Sequence, residues 1–184
     1  MGRITLITGG SRSGKSSFAQ RLAEEQPGSR LFLATCPVTD KEMEIRILRH
    51  IQDRQKGNWD TIEEPVRIAE QLAQAGRYDT VLIDCLTLWI NNLLYEASGK
   101  NSALDEERIT LETKRLVEKA GEHPGEVILV TNEVGLGIVP ENKTARLYRD
   151  LVGRCNQCVG GAAERVYLVT CGIPLQIKDK KSAL

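Results

Sequence analysis

The chain has 184 residues, with 25 basic and 25 acidic side chains and a formal net charge of zero. That length suits one domain over residues 1–184 with a sizeable core, and the balanced charge disfavours a nucleic-acid or membrane-surface partner. No stretch approaches the roughly 18 apolar residues of a spanning helix, MGRITLITGG is too poor in apolar residues for a secretory leader, and Leu6 stands where a myristoylation signal needs Ser or Thr; the expectation is a soluble cytoplasmic protein.

In chain order, RITLIT (3–8), RLFLAT (30–35), TVLIDCL (80–86), EVILVTN (126–132) and RVYLVT (165–170) are short and rich in β-branched residues. They are apolar on both faces, as strands of a parallel sheet covered on both sides must be. TIEEP (61–65) is predicted to add an edge strand. Helical periodicity occupies roughly 14–25, 40–55, 65–75, 87–96, 104–121 and 142–160. The segment 96–107 reads as a loop with a helix start at Ser102. Strands alternating with helices predict a three-layer α/β domain with right-handed crossovers.

The cysteines, Cys36, Cys85, Cys155, Cys158 and Cys171, are odd in number, which argues against a disulfide framework. CNQC (155–158) has redox spacing. Leu147, Leu151, Cys155, Cys158 and Val159 nevertheless fall on one helical stripe, so both thiols are expected to pack into a core. No second pair or nearby His completes a metal site.

The turn after the first strand carries the chemistry. Gly9, Gly10, Ser11, Arg12, Ser13, Gly14, Lys15 and Ser16 fit G-x-x-x-x-G-K-[ST], with a strand before and a helix after. Glycines let successive N–H groups point into one concavity, and the helix N-terminus adds partial positive charge. Lys15 can reach the β- and γ-phosphates, and the Ser16 hydroxyl can ligate Mg²⁺. Asp84, ending a buried apolar strand, stands where a Walker-B carboxylate would hold Mg²⁺ through water; the alternative is a helix cap.

His50 lies at the edge of the apolar stripe formed by Met43, Ile47, Leu48 and Ile51, with Arg46 and Arg54 four residues to either side. Two guanidiniums disfavour a third positive charge, so the imidazole is expected to stay neutral and nucleophilic. The alternative is a helix-surface histidine. His123, in GEHPGE, reads as a solvated turn residue.

Several segments together, TGGSRSGKS (8–16), LATC (33–36), EMEIRILRHIQDR (42–54), TVLIDCLTLWINNLL (80–94), VTNEVGLGIVPENKTARLYRDLVGRCNQ (130–157) and VYLVTCGIPLQIK (167–178), resemble the bifunctional adenosylcobinamide kinase / adenosylcobinamide-phosphate guanylyltransferase family of cobalamin biosynthesis. The resemblance runs nearly end to end. It implies a P-loop NTPase domain with a mainly parallel, RecA-like sheet, a homo-oligomer such as a trimer, and use of ATP, GTP and a corrinoid substrate. It places the guanylylated histidine at His50. Guanine-nucleotide contacts fall on Gly9–Ser16, on Ala34, Thr35 and Cys36, on Ile51, Gln52, Asp53 and Arg54, on Glu63 and on Asp84. Asp84 is one methylene shorter than the glutamate expected there, leaving its role between metal and nucleotide. The implied chemistry is phosphorylation of the aminopropanol hydroxyl, then attack of His50 on the α-phosphorus of GTP and passage of GMP to cobinamide phosphate. NEVGLGIVPENKTARLYRD (132–150) is the candidate for part of the corrinoid pocket.

Two other readings share the phosphate loop. One is a kinase or NTPase of a different small molecule, with His50 on the surface. The other is a GTP-binding switch, for which a guanine-specifying N-K-x-D is missing, since Asp150 is too distant from Asn142 and Lys143.

Overall fold

The computed structural model describes residues 2–36, 57–100 and 102–180. The expected helix over 40–55 and His50 lie outside them. Among the described residues the strands are β1 (Arg3–Gly9), β2 (Arg30–Ala34), β3 (Trp59–Glu63), β4 (Thr80–Asp84), β5 (Glu126–Val130), β6 (Arg165–Thr170) and β7 (Ile173–Asp179). The helices are α1 (Lys15–Glu24), α2 (Ile68–Ala73), α3 (Leu86–Gly99), α4 (Glu106–Glu122) and α5 (Lys143–Ala162).

The strands form one sheet in the order β3-β2-β4-β5-β1-β6-β7. All neighbours are parallel except β6 and β7, which pair antiparallel with a register shift between Val166 and Tyr167. Period-two alternation divides the apolar side chains between two faces. Leu31, Leu33, Val81, Ile83, Val127 and Leu129 join residues of α2, α3, α4 and α5 in one core. Ile7, Leu82, Ile128 and Val130 meet Ala19, Leu22 and Ala23 of α1 on the opposite face. Helices on both faces of the sheet make the three layers expected from the alternation. No helix among the described residues is long and apolar enough to cross a membrane.

The predicted elements appear with shifted ends. Helix α4 starts at Asp105, whose carboxylate accepts from the Arg108 N–H at 2.9 Å, rather than at Ser102. Helix α3 continues to Gly99, past the expected end, with Lys100 paired to Glu96 at 2.6 Å. Strand β3 takes the predicted edge place but begins earlier, at Trp59. Strand β7 was not expected; an edge strand carrying Pro174 and exposed along most of its length lacks the fully apolar signature of the central strands.

His123 is buried, not solvated: it closes α4, its Nδ1 accepts from the Gly125 N–H at 3.1 Å, and its Nε2 lies 3.2 Å from the Ala75 carbonyl. A neutral ring with the proton on Nε2 satisfies both contacts. Cys155 is fully buried and burial pushes its thiol up to about 12, as a packing role requires, whereas Cys158 is only half-buried.

Leu129, with no exposed surface in a central strand, should cost about 2–5 kcal/mol when truncated to Ala, read from denaturant midpoints. Leu111→Ala, on the exposed face of α4, should change stability by no more than about 0.5 kcal/mol.

Candidate active site

The carboxyl ends of β1, β4 and β5 converge on a cavity of about 550 Å³. Crevices at this edge of an open parallel sheet are where ligands bind in α/β folds. Its floor is the turn between β1 and α1. Gly9 adopts φ 154°, and a Cβ there would sit 2.2 Å from the Val169 carbonyl, so only glycine lets the turn pass this close to β6. Gly14, at φ 96°, caps α1 in the left-handed region. The first helical bond runs from the Phe18 N–H to the Gly14 carbonyl at 2.9 Å, so the N–H groups of Lys15, Ser16 and Ser17 precede any intrahelical acceptor. The Gly172 N–H, from the turn between β6 and β7, donates to the Ser13 carbonyl at 2.9 Å and braces the loop from outside.

Within this cradle the Ser13 and Thr8 hydroxyls are buried and have no hydrogen-bond partner among the described residues. Buried polar atoms of this kind need an acceptor or donor from elsewhere, and a phosphate chain offers one. Lys15 is buried, and its Nζ donates to the Gly10 carbonyl at 2.6 Å. Burial lowers its pKa, opposed chiefly by the charge of Asp84. An ammonium lining the cavity and bonded to a neutral carbonyl is placed to exchange that acceptor for a charged one.

Strands β2, β3 and β4 supply a second wall. Ala34 pairs with Glu63 on one side and Asp84 on the other, which brings three expected nucleotide contacts into one row. Ala34, Cys36, Glu63 and Asp84 all line the cavity with Lys15 and Ser16. Thr35 does not: its buried hydroxyl donates to the Cys85 carbonyl at 2.8 Å and accepts from the Cys85 N–H at 2.7 Å. It therefore fixes the chain immediately after Asp84. Asn92 of α3 donates to the carbonyls of Thr35 and Pro65 at 2.8 and 2.9 Å, tying the ends of β2 and β3 to one helix.

A third wall is formed by Cys85, Thr87, Leu88 and Val130, which pattern reading did not single out, and by Asn132 and Tyr148, which fall in the segment 132–150 expected to meet the corrinoid. Asn132 Nδ2 lies 3.4 Å from Thr87 Oγ1, and the Tyr148 hydroxyl donates to the Thr87 carbonyl at 3.1 Å. Burial pushes the Tyr148 phenol up to about 12 and the Cys85 thiol up to about 11, so both stay protonated at neutral pH. Asn132 lies two residues beyond the end of β5, at the same edge of the sheet as Asp84, the last residue of β4. Of the remaining expected residues, Ser11, Arg12, Ser13, Gly14, Lys15 and Ser16 line the cavity, and Gly9 and Gly10 shape the loop behind them. His50, Ile51, Gln52, Asp53 and Arg54 lie outside the described residues.

A family model described as cobinamide kinase / cobinamide phosphate guanyltransferase matches residues 5–177. The chain is 42% identical over 178 residues to the bifunctional adenosylcobalamin biosynthesis protein CobP of Pseudomonas aeruginosa, covering 95% of this chain and 97% of that one. It is 40% identical over 182 residues to the bifunctional adenosylcobalamin biosynthesis protein CobU of Salmonella typhimurium, covering 95% and 99%. Among solved structures, a KaiC-like protein of Pyrococcus horikoshii superposes with a TM-score of 0.50 at 16% identity, over 90% of this chain and 70% of that one. That likeness concerns the fold alone.

Lys15→Ala should weaken nucleoside triphosphate binding about 10- to 100-fold, the loss of one charge-assisted contact, measured by calorimetry. The sign for stability is opposite. A lowered native pKa means the folded chain binds the proton less well than the unfolded chain, so the ligand-free fold gains as pH rises toward the ordinary lysine range. The ligand-free melting temperature should thus stay within about 3 °C of the parent.

Proposed function

The chain belongs to the cobinamide kinase / cobinamide phosphate guanyltransferase family, and on that premise we infer that it catalyses both transfers. It phosphorylates adenosylcobinamide with ATP or GTP, then transfers GMP from GTP to the product, giving adenosylcobinamide-GDP and pyrophosphate. The observation that carries this reading is the phosphate loop facing Asp84 across one cavity, in a chain that matches its bifunctional relatives nearly end to end.

Both transfers need a triphosphate held in line and its charge neutralised, more than they need covalent help from the protein. The loop N–H groups and Lys15 provide this for either nucleotide. Mg²⁺ fits the Ser16 hydroxyl and Asp84, which share the cavity with Lys15; when bound it neutralises phosphate charge. Glu63, Cys36 and the segment Ile51–Arg54 are proposed to contact the guanine nucleotide.

His50 is proposed as the nucleophile for guanylyl transfer. Its imidazole nitrogen bonds to the α-phosphorus as the bond to pyrophosphate breaks, and the phosphate of cobinamide phosphate then displaces the histidine. The corrinoid is proposed to meet the loop after β5, where Leu136, Ile138 and Val139 are exposed and offer apolar surface to a large macrocycle. We further propose a single cytoplasmic catalytic domain assembling as a homotrimer, with the exposed row Ile173, Leu175 and Ile177 on β7 as apolar surface for contact.

His50→Ala should abolish self-labelling by GTP carrying label at the α-phosphate, while phosphorylation of cobinamide persists. An adduct that survives this substitution, or one mapped to Lys15 or His123, would reject the histidine. In the parent, self-labelling should slow under acidic conditions, because imidazolium has no lone pair to attack with. Arg46 and Arg54 should confine the loss to acidic conditions.

A further inference from the structure

Strand β5 lies between β1, which leads into the phosphate loop, and β4, which ends at Asp84. Val130 pairs with Ile7 on one side and Asp84 on the other. Beyond the strand the chain keeps beside β1: the Thr131 N–H donates to the Ile7 carbonyl at 2.9 Å, and the Glu133 N–H to the Gly9 carbonyl at 3.0 Å. Alternation then sorts the side chains. Val130 belongs to the core under α1, and the Thr131 hydroxyl turns the other way to donate to Asn156 of α5 at 2.7 Å. Asn132 therefore turns back to the face that carries the phosphate loop, where it lines the cavity with Ser13, Lys15 and Asp84.

Its backbone is held independently of its side chain, because the Asn132 carbonyl accepts from Asn156 Nδ2 at 3.1 Å. The amide makes one long contact, 3.4 Å to Thr87 Oγ1, and its other donor and its acceptor have no partner among the described residues. An amide so placed has one N–H for a phosphoryl oxygen and one carbonyl for a hydroxyl proton. The loop that follows is the one proposed above to face the corrinoid.

We propose that Asn132 is a catalytic residue of the kinase step, orienting the acceptor hydroxyl against the γ-phosphorus, and that guanylyl transfer depends on it far less. The inference rests on the functional reading given above. In the step it serves, the acceptor oxygen bonds to the γ-phosphorus and the bond from that phosphorus to the β–γ bridging oxygen breaks. The electron pair leaves with the nucleoside diphosphate, and the hydroxyl proton passes to water. The asymmetry between the two reactions follows from which phosphorus is attacked: Asn132 serves the acceptor hydroxyl and the γ-phosphoryl group, whereas guanylyl transfer breaks the bond at the α-phosphorus. A neutral amide near the γ-phosphoryl oxygens also adds a donor where charge spreads during transfer, an effect on the order of 100-fold when one such donor is removed.

The experiment measures two rates on the same preparations: phosphorylation of cobinamide from ATP, and self-labelling from α-labelled GTP. Asn132→Ala should lower kcat for phosphorylation at least about 100-fold, with the KM for ATP and the self-labelling rate each within about fivefold of the parent. Asn132→Ser, which keeps a short polar group, serves if the alanine variant melts early. Equal loss of both activities would assign Asn132 to the general integrity of the site and overturn the proposal. Full retention of phosphorylation would overturn it as well. A parent enzyme that transfers no phosphoryl group to cobinamide would overturn the functional reading itself, and this proposal with it, before any variant is compared.

Discussion

The approach of the first turn to strand β6 is the constraint on which the site depends. Because Gly9 passes where a Cβ would meet the Val169 carbonyl, the chain can turn directly into α1 with its first N–H groups directed ahead of the helix. The brace from Gly172 to Ser13 holds that turn against the hairpin of β6 and β7. A phosphate cradle needs donors fixed before the ligand arrives, since donors that must first be ordered would lose much of the binding they contribute. Here the rigid sheet does the ordering. The hydroxyls of Thr8 and Ser13, without a partner among the described residues, are what that arrangement leaves for a ligand to satisfy.

The opposite wall is organised by a single buried threonine. Thr35 grips the backbone of Cys85 with both a donated and an accepted bond, and Asn92 fixes Thr35 in turn. The chain after Asp84 and the end of β2 are thereby tied to α3. Thr35, an expected nucleotide contact, in this way fixes the chain immediately after the carboxylate that faces the loop.

The central strands and the phosphate loop were legible in the sequence because burial on both faces and the G-x-x-x-x-G-K-S spacing leave few other conformations. The edge was not. Strand β7 has an exposed face and a proline, so neither continuous apolarity nor strict alternation marks it. Lys15 could be assigned to phosphate from spacing, but its burial depends on how α1 packs under β1 and β4, which no local pattern reports. His123 looked solvated beside Pro124 and Gly125; it is buried because the Ala75 carbonyl, 48 residues away in sequence, comes to meet it. Asn132 was visible only as part of a segment specific to the family. Its orientation became clear once strand order placed β5 between the loop and Asp84.

On the proposed reading one triphosphate cradle serves two displacements, at the γ-phosphorus and at the α-phosphorus. The described residues contain one cavity bounded by the phosphate loop, Asp84 and Glu63. The direct test is inhibition by a GTP analogue with a non-hydrolysable β–γ bridge, measured against GTP-driven phosphorylation of cobinamide and against displacement of bound labelled GTP under the same conditions. A shared cradle predicts competitive inhibition with the same inhibition constant in both assays and one nucleotide bound per chain. Two distinct constants, or two nucleotides bound per chain, would contradict it.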